Sequence, residues 1–120
     1  MGLLRRLMAL EAAAFAAAAL VHSGAIIGGL EDPAAATAES IIGLVLVGGA
    51  ILAWSRPAWT QRIAISAQGF ALAGSLIGLY LNLVVGPGTL PDLAFHAGIV
   101  VTLVIGLVLA VRAAPGGEAG

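Results

Sequence analysis

The chain has 120 residues, of which 61% are hydrophobic and 9% charged, and its mean hydropathy is +1.11, far above the balance of a soluble domain. It contains no cysteine, which excludes disulfides, zinc-thiolate sites and thiol catalysis in this chain. A formal net charge of −1 argues against nucleic acid as a partner, so the composition points to an integral membrane protein with the lipid bilayer as its solvent.

Four spans are predicted, at roughly 4–29, 34–54, 60–85 and 91–112, each near the ~20 residues that a 30 Å hydrocarbon layer requires. The first opens with Arg5 and Arg6 before an alanine-rich run. That pattern resembles a signal peptide, but Glu11 inside the run and the length of the run favour a span. The first connection, Gly-Gly-Leu-Glu-Asp-Pro, is expected to end a helix on glycine and to start the next with Asp32 as N-cap and Pro33 in the first turn. The second, Ser55 to Trp59, places Trp54, Trp59 and Arg56 at one membrane surface. The third, Gly86 to Asp92, is a turn with Thr89 as N-cap and Asp92 at the capping-box position. Short connections predict neighbouring helices that run antiparallel. The fold class is therefore all-α: a single four-helix transmembrane bundle over residues 1–114, up-down-up-down, with a flexible tail at 115–120.

All five cations are arginines. Arg5, Arg6, Arg56, Arg62 and Arg112 fall on the side shared by the N-terminus, the second connection and the C-terminus, whereas Glu31, Asp32 and Asp92 fall on the other. The positive-inside rule then makes both termini cytoplasmic, in a bacterial inner membrane. Pairs of small residues four apart, Ala12 and Ala16, Gly24 and Gly28, Gly74 and Gly78, suit close helix contacts, although an alanine- and glycine-rich chain also produces them by composition alone. A shift of 57 residues lays Arg5 on Arg62, Glu11 on Gln68 and Glu39 on His96, the trace of a weak internal repeat.

Glu11 and His22 lie in one otherwise apolar stretch, and a spacing of eleven residues puts them with Phe15 and Ala18 on one helical stripe about 16 Å long. At 1.5 Å per residue, His22, Glu39 and His96 all stand about 9 Å outward of the membrane centre, with Tyr80 near that level. Glu11 and Gln68 stand about 7 Å inward. Ionisable groups at such depth find partners or water.

The outer group, His22, Glu39 and His96 with Asp92 four residues before His96, offers two imidazoles and up to two carboxylates. That donor set suits zinc, iron or manganese. A hydrogen-bonded network that locks helices or relays protons is the alternative, and haem held by the two histidines is a further one, disfavoured because no basic residue stands on the outer side to meet propionates. Glu11 with Gln68 is either a proton-linked pair or interhelical glue. Ser66, Ser75, Asn82 and Thr102 read as groups bonded to helix backbone.

In length, span number and a glutamate embedded in the first span, the chain resembles the small multidrug resistance transporters. That resemblance implies a dimer exchanging protons for cationic drugs at Glu11, without the aromatic residues that surround the acid in that family. The segments LE, AALVH, AES, RPAW, AQGFALxGxxxG and GPGTLPDxxxH resemble a group of short four-helix bacterial membrane proteins and imply no mechanism. The functional expectation is a small membrane protein with an outer polar site for a metal ion or small polar ligand, linked to proton movement, with enzymatic activity left open. A proton-coupled efflux transporter and an accessory subunit of a larger complex are the competing classes. Little internal volume in so small a bundle predicts a homodimer or a place in a larger assembly.

Overall fold

The computed structural model describes residues 1–86 and 88–113. The flexible tail expected at 115–120 lies outside the described residues. Among these, the protein is all helical: α1 (Gly2–His22), α2 (Pro33–Ser55), α3 (Thr60–Tyr80) and α4 (Leu90–Arg112). A single 3-10 turn (Pro57–Trp59) leads into α3, and a π-helical turn (Leu81–Val85) prolongs it.

Caps set these limits. Asp32 accepts a hydrogen bond from the Ala35 amide at 3.0 Å and starts α2, and the Thr89 hydroxyl accepts one from the Asp92 amide at 3.3 Å and starts α4, as the connections predict. The first span differs from its expected limit at residue 29. Helix α1 stops at His22, because Gly24 takes a positive φ of 76°, the Ala25 amide donates to Leu20 and the Gly24 amide to Val21. This paired closure is the Schellman motif, which glycine permits at no steric cost. Gly24 thus serves the turn and not a helix contact; a Cβ there would also stand 2.9 Å from Glu31 Cγ.

Helix α1 packs chiefly on α2, and α3 on α4, with α2 joining the two pairs. The interior is narrow: Met8, Phe15, Leu46 and Leu103 are buried among Ala50, Ala53, Ala64, Ala71 and Ala110. Small residues let backbones approach. Gly43 of α2 lies against the α1 backbone at Ala12 and Ala16, and Gly74 of α3 lies against Ile42. The outward faces carry Leu44, Ile51, Ile77, Leu83, Val101 and Val111, each more than half exposed, a surface suited to lipid and not to water. Three stretches, Pro33–Ser55, Pro57–Val85 and Leu90–Arg112, are long and apolar enough to cross a membrane. Helix α1 carries Arg5, Arg6 and Glu11 and is not among them.

Hydrogen bonds tie the two ends of the bundle. At one, Arg5 Nη2 donates to Thr60 Oγ1 at 3.1 Å, Thr60 donates to the Ala53 carbonyl, and Gln61 donates to the carbonyls of Ala110 and Ala113. At the other lie His22, Glu39 and Asp92.

Candidate functional site

Helix ends deliver the polar residues of this second cluster. His22 is the last residue of α1, Glu39 lies in the second turn of α2, and Asp92 is in the first turn of α4. Helix dipoles favour negative groups at N-terminal turns and positive ones at C-terminal turns. The Asp92 carboxylate, in the first turn of α4, stands at the helix end whose dipole favours an anion, whereas Glu39, a turn further into α2, lies beyond the reach of that effect.

His22 Nδ1 lies 2.7 Å from Glu39 Oε2. A carboxylate can only accept, so the imidazole donates there, and in the neutral ring this leaves the Nε2 lone pair free. Nε2 faces Asp92 Oδ1 at 3.5 Å, longer than an effective N–H···O bond. Both Asp92 Oδ1 and Glu39 Oε1 are buried oxygens without a hydrogen-bond donor, although Glu39 is only 3% exposed. Buried acceptors left unpaired cost about 1–3 kcal/mol each, more when charged. One donor atom from each of His22, Glu39 and Asp92 falls within 4.8 Å of the others.

His96 takes a different place from the one its depth suggests. Its Nδ1 is 2.9 Å from the main-chain carbonyl of Asp92 and 3.2 Å from Oδ1 of the same residue, while Nε2 lies over Gly78 of α3, where a Cβ would stand 2.5 Å away. It supports Asp92 and does not converge with His22 and Glu39. Phe95 stacks edge-on against both His96 and Phe15, with ring centroids 5.4 and 5.7 Å apart. Phe95 also lines the cleft beside the cluster. Tyr80, level with it by depth, is more than half exposed.

The inward pair also meets. Gln68 Nε2 donates to Glu11 at 3.0 Å, with the two residues 0% and 1% exposed. Gly106 of α4 makes room for the amide, since a Cβ there would overlap it. Gln68 Oε1 has no donor.

Two openings flank the outer cluster. A cleft of about 850 Å³ lies between α1, the turn after it, the π-helical turn and the start of α4; His22, Asp92, Glu31, Asp32, Asn82 and Thr89 are its polar lining. The π-helical turn, closed by the Gly86 amide on the Leu81 carbonyl, sets Asn82 and Val85 in this wall; such turns recur at functional sites, and nothing in the local sequence announced this one. A second groove, of about 800 Å³, follows α1 and α2, lined mainly by alanines, with Glu39 its one ionisable residue. Neither opening is lined by Glu11 or Gln68.

Comparison with protein-family models, with curated proteins and with solved structures finds no match. The case for function rests on this geometry.

Proposed function

We propose that the chain is a four-pass protein of the bacterial cytoplasmic membrane that binds a divalent metal ion of the zinc class between His22 and Asp92, with Glu39 orienting the imidazole. In this reading α1 also spans, up-down-up-down, with both termini cytoplasmic. The arginines support that orientation, because Arg5 meets Thr60 at the end of the bundle that holds Arg56 and Arg62.

One observation carries the metal reading: the His22 Nε2 lone pair and the donorless Asp92 Oδ1 face each other at 3.5 Å. Two acceptors so placed are satisfied by a proton on the imidazole or by a metal ion between them, and elemental analysis distinguishes the two. Ligands of one tetrahedral zinc, at 2.0–2.2 Å from the ion, stand roughly 3.4 Å apart. The Glu39 hydrogen bond to Nδ1 then plays the part of the carboxylate that orients a metal-bound imidazole. Glu11 supports a ligand site less well, since neither cleft reaches it.

The test is metal retention by the full chain, stripped with chelator in detergent, dialysed against zinc or cobalt(II) and analysed by elemental content. The expected result is a single tightly held ion per chain, lost in Asp92→Asn and in His22→Ala variants that keep their helical circular dichroism. A wild-type chain that returns from dialysis without metal overturns the reading.

A further inference from the structure

Glu39 faces two ways. Its Oε2 is held by His22 Nδ1 at 2.7 Å, while its Oε1 has no hydrogen-bond donor, although the residue is only 3% exposed. Glu39 lines the alanine groove along α1 and α2, and His22 lines the outer cleft on the other side, so the unpaired oxygen is the one left to the groove. This groove follows α2 from Ala36 to Val47, roughly 16 Å at 1.5 Å per residue. Because the chain reverses between the two helices, Ser23, Thr37, Glu39 and Ser40 gather at its outer end, and Ala9, Ala13, Ala16, Leu44 and Val47 line the apolar length below. Each of the three hydroxyls gives its proton to its own helix: Ser23 to the Leu20 carbonyl, Thr37 to that of Pro33 and Ser40 to that of Ala36, at 2.9, 2.8 and 2.7 Å. A hydroxyl has a single donor, so these groups offer the groove lone pairs alone. No basic residue lines it, and every polar side chain at its outer end is an acceptor.

Resting on the four-pass reading above, in which the groove opens to lipid, but not on the metal, we propose that this groove binds a single-chain amphiphile with a primary ammonium head, its nitrogen on Glu39 Oε1 and its chain along the alanines of α1. Chemistry selects the head. An ammonium brings three N–H donors, no acceptor and a positive charge, the complement of a carboxylate with an unpaired oxygen beside hydroxyl lone pairs. Charge-assisted bonds of this kind are roughly twice as strong as neutral ones. A hydroxyl head brings a single donor and leaves the charge uncompensated. A phosphodiester meets only lone pairs here, so phospholipids are disfavoured whatever their terminal group. Shape selects the chain, because the small side chains of α1 leave a trough of about 800 Å³, within the range of pockets that hold one small molecule.

The test uses the full chain, stripped with chelator and reconstituted in nanodiscs of phosphatidylcholine, whose head has no N–H. Isotope-labelled dodecylamine is the probe, and its retention is counted above that of empty discs. Saturable retention of one amine per chain is expected. Dodecyltrimethylammonium, with the same chain and charge but no N–H, should compete at least about tenfold more weakly, and Glu39→Gln should lower amine affinity by a similar factor, the loss of one hydrogen bond to a charged group. Ala13→Phe fills the trough away from the polar end and should abolish saturable retention; if it fails to fold, the two probes and Glu39→Gln decide alone. Retention that does not saturate, or that Glu39→Gln leaves unchanged, overturns the proposal and leaves the four-pass and metal readings standing. Competition by dodecanol or by the trimethylated probe equal to that by unlabelled dodecylamine overturns the assignment of the head. Self-association in the discs that Ala13→Phe disrupts, without amine retention, gives the groove to a second copy of the chain instead. A chain that does not enter the discs overturns this proposal and the four-pass reading together.

Discussion

His22 at the end of α1 donates through Nδ1 to Glu39 Oε2 on α2 at 2.7 Å, and this bond fixes which ring nitrogen looks across at Asp92. It joins the two helices at a point where both side chains are buried. The same bond gives the first prediction. Glu39→Gln keeps an acceptor for Nδ1 but loses the anion, and replaces the unpaired Oε1 by either an amide or an acceptor. We expect the variant to fold, with metal affinity lower by at least tenfold, since loss of an orienting carboxylate alone typically costs about 10–100-fold. Equilibrium dialysis with cobalt(II) measures the ratio, and unchanged affinity would remove Glu39 from the site.

Acid should release the metal. Imidazole and carboxylate bind a metal only after losing their protons, so each step down in pH makes protons better competitors, and metal-dependent stability is present at high pH and lost as pH falls. The thermal unfolding temperature in the presence of zinc should exceed that of the chelated protein at about pH 8, and the gap should close toward about pH 5 as protons compete for the ligands. A gap that persists at the lower pH would place the bound ion elsewhere.

Gly78 gives a prediction independent of metal. A Cβ at that position would meet His96 Nε2 at 2.5 Å, and the ring has little freedom while Phe95 packs on it and the Asp92 carbonyl holds Nδ1. Gly78→Ala should cost about 1–3 kcal/mol, the usual range for overpacking. Gly69→Ala, at a position where nothing lies within 4 Å of a new Cβ, should be neutral or slightly stabilising through helix propensity. Reversible unfolding of the two variants side by side checks the contrast.

Much of this architecture was legible in the sequence. Apolar runs broken by Gly, Pro and Asp mark the four helices, and depth alone pairs Glu11 with Gln68 and His22 with Glu39, because both pairs are few polar groups in a long apolar background. Two things were not legible. The residues Ala25 to Gly29 read as a continuation of the first span by hydropathy, yet the Ser23-Gly24 step carries the helix stop signal that the Schellman closure uses. Depth says nothing of helix rotation, so His96 was grouped with His22, although its ring bonds its own helix at Asp92. Asp92 is readable both as a cap residue and, four residues before His96, as a donor of the outer group. That its carboxylate turns to the histidines follows only from how α4 packs beside α1.

The topology yields to a labelling experiment that this chain makes simple, since it has no native cysteine to remove. Single cysteines at Ile27 and Leu90, exposed positions at the end of the bundle that holds the outer cleft, should react in intact cells with a membrane-impermeant maleimide. One at Ala58, beside Trp59, should react only after permeabilisation. Protection at Ile27 and Leu90 with labelling at Ala58 would invert the protein, and equal labelling of Ile27 and Ala58 would show that α2 does not cross.

The last prediction separates a structural role of Glu11 from a proton-linked one. Its carboxyl is buried and both oxygens lie near Gln68 Nε2, at 3.3 and 3.0 Å. Glu11→Gln preserves shape and a carbonyl acceptor, and its new amide can donate to Gln68 Oε1, the atom that now has no donor. If the pair serves to hold α1 to α3, this variant should match or exceed the parent in stability. Glu11→Ala should instead lose about 2–4 kcal/mol, from the cavity and from a Gln68 amide left without its partner. Proton movement depends on an ionisable group, so proton release on diluting purified protein from acid to neutral buffer should fall in Glu11→Gln if Glu11 exchanges protons, and stay the same if it does not. A stable Glu11→Gln protein with unchanged proton release would assign the pair to helix packing alone.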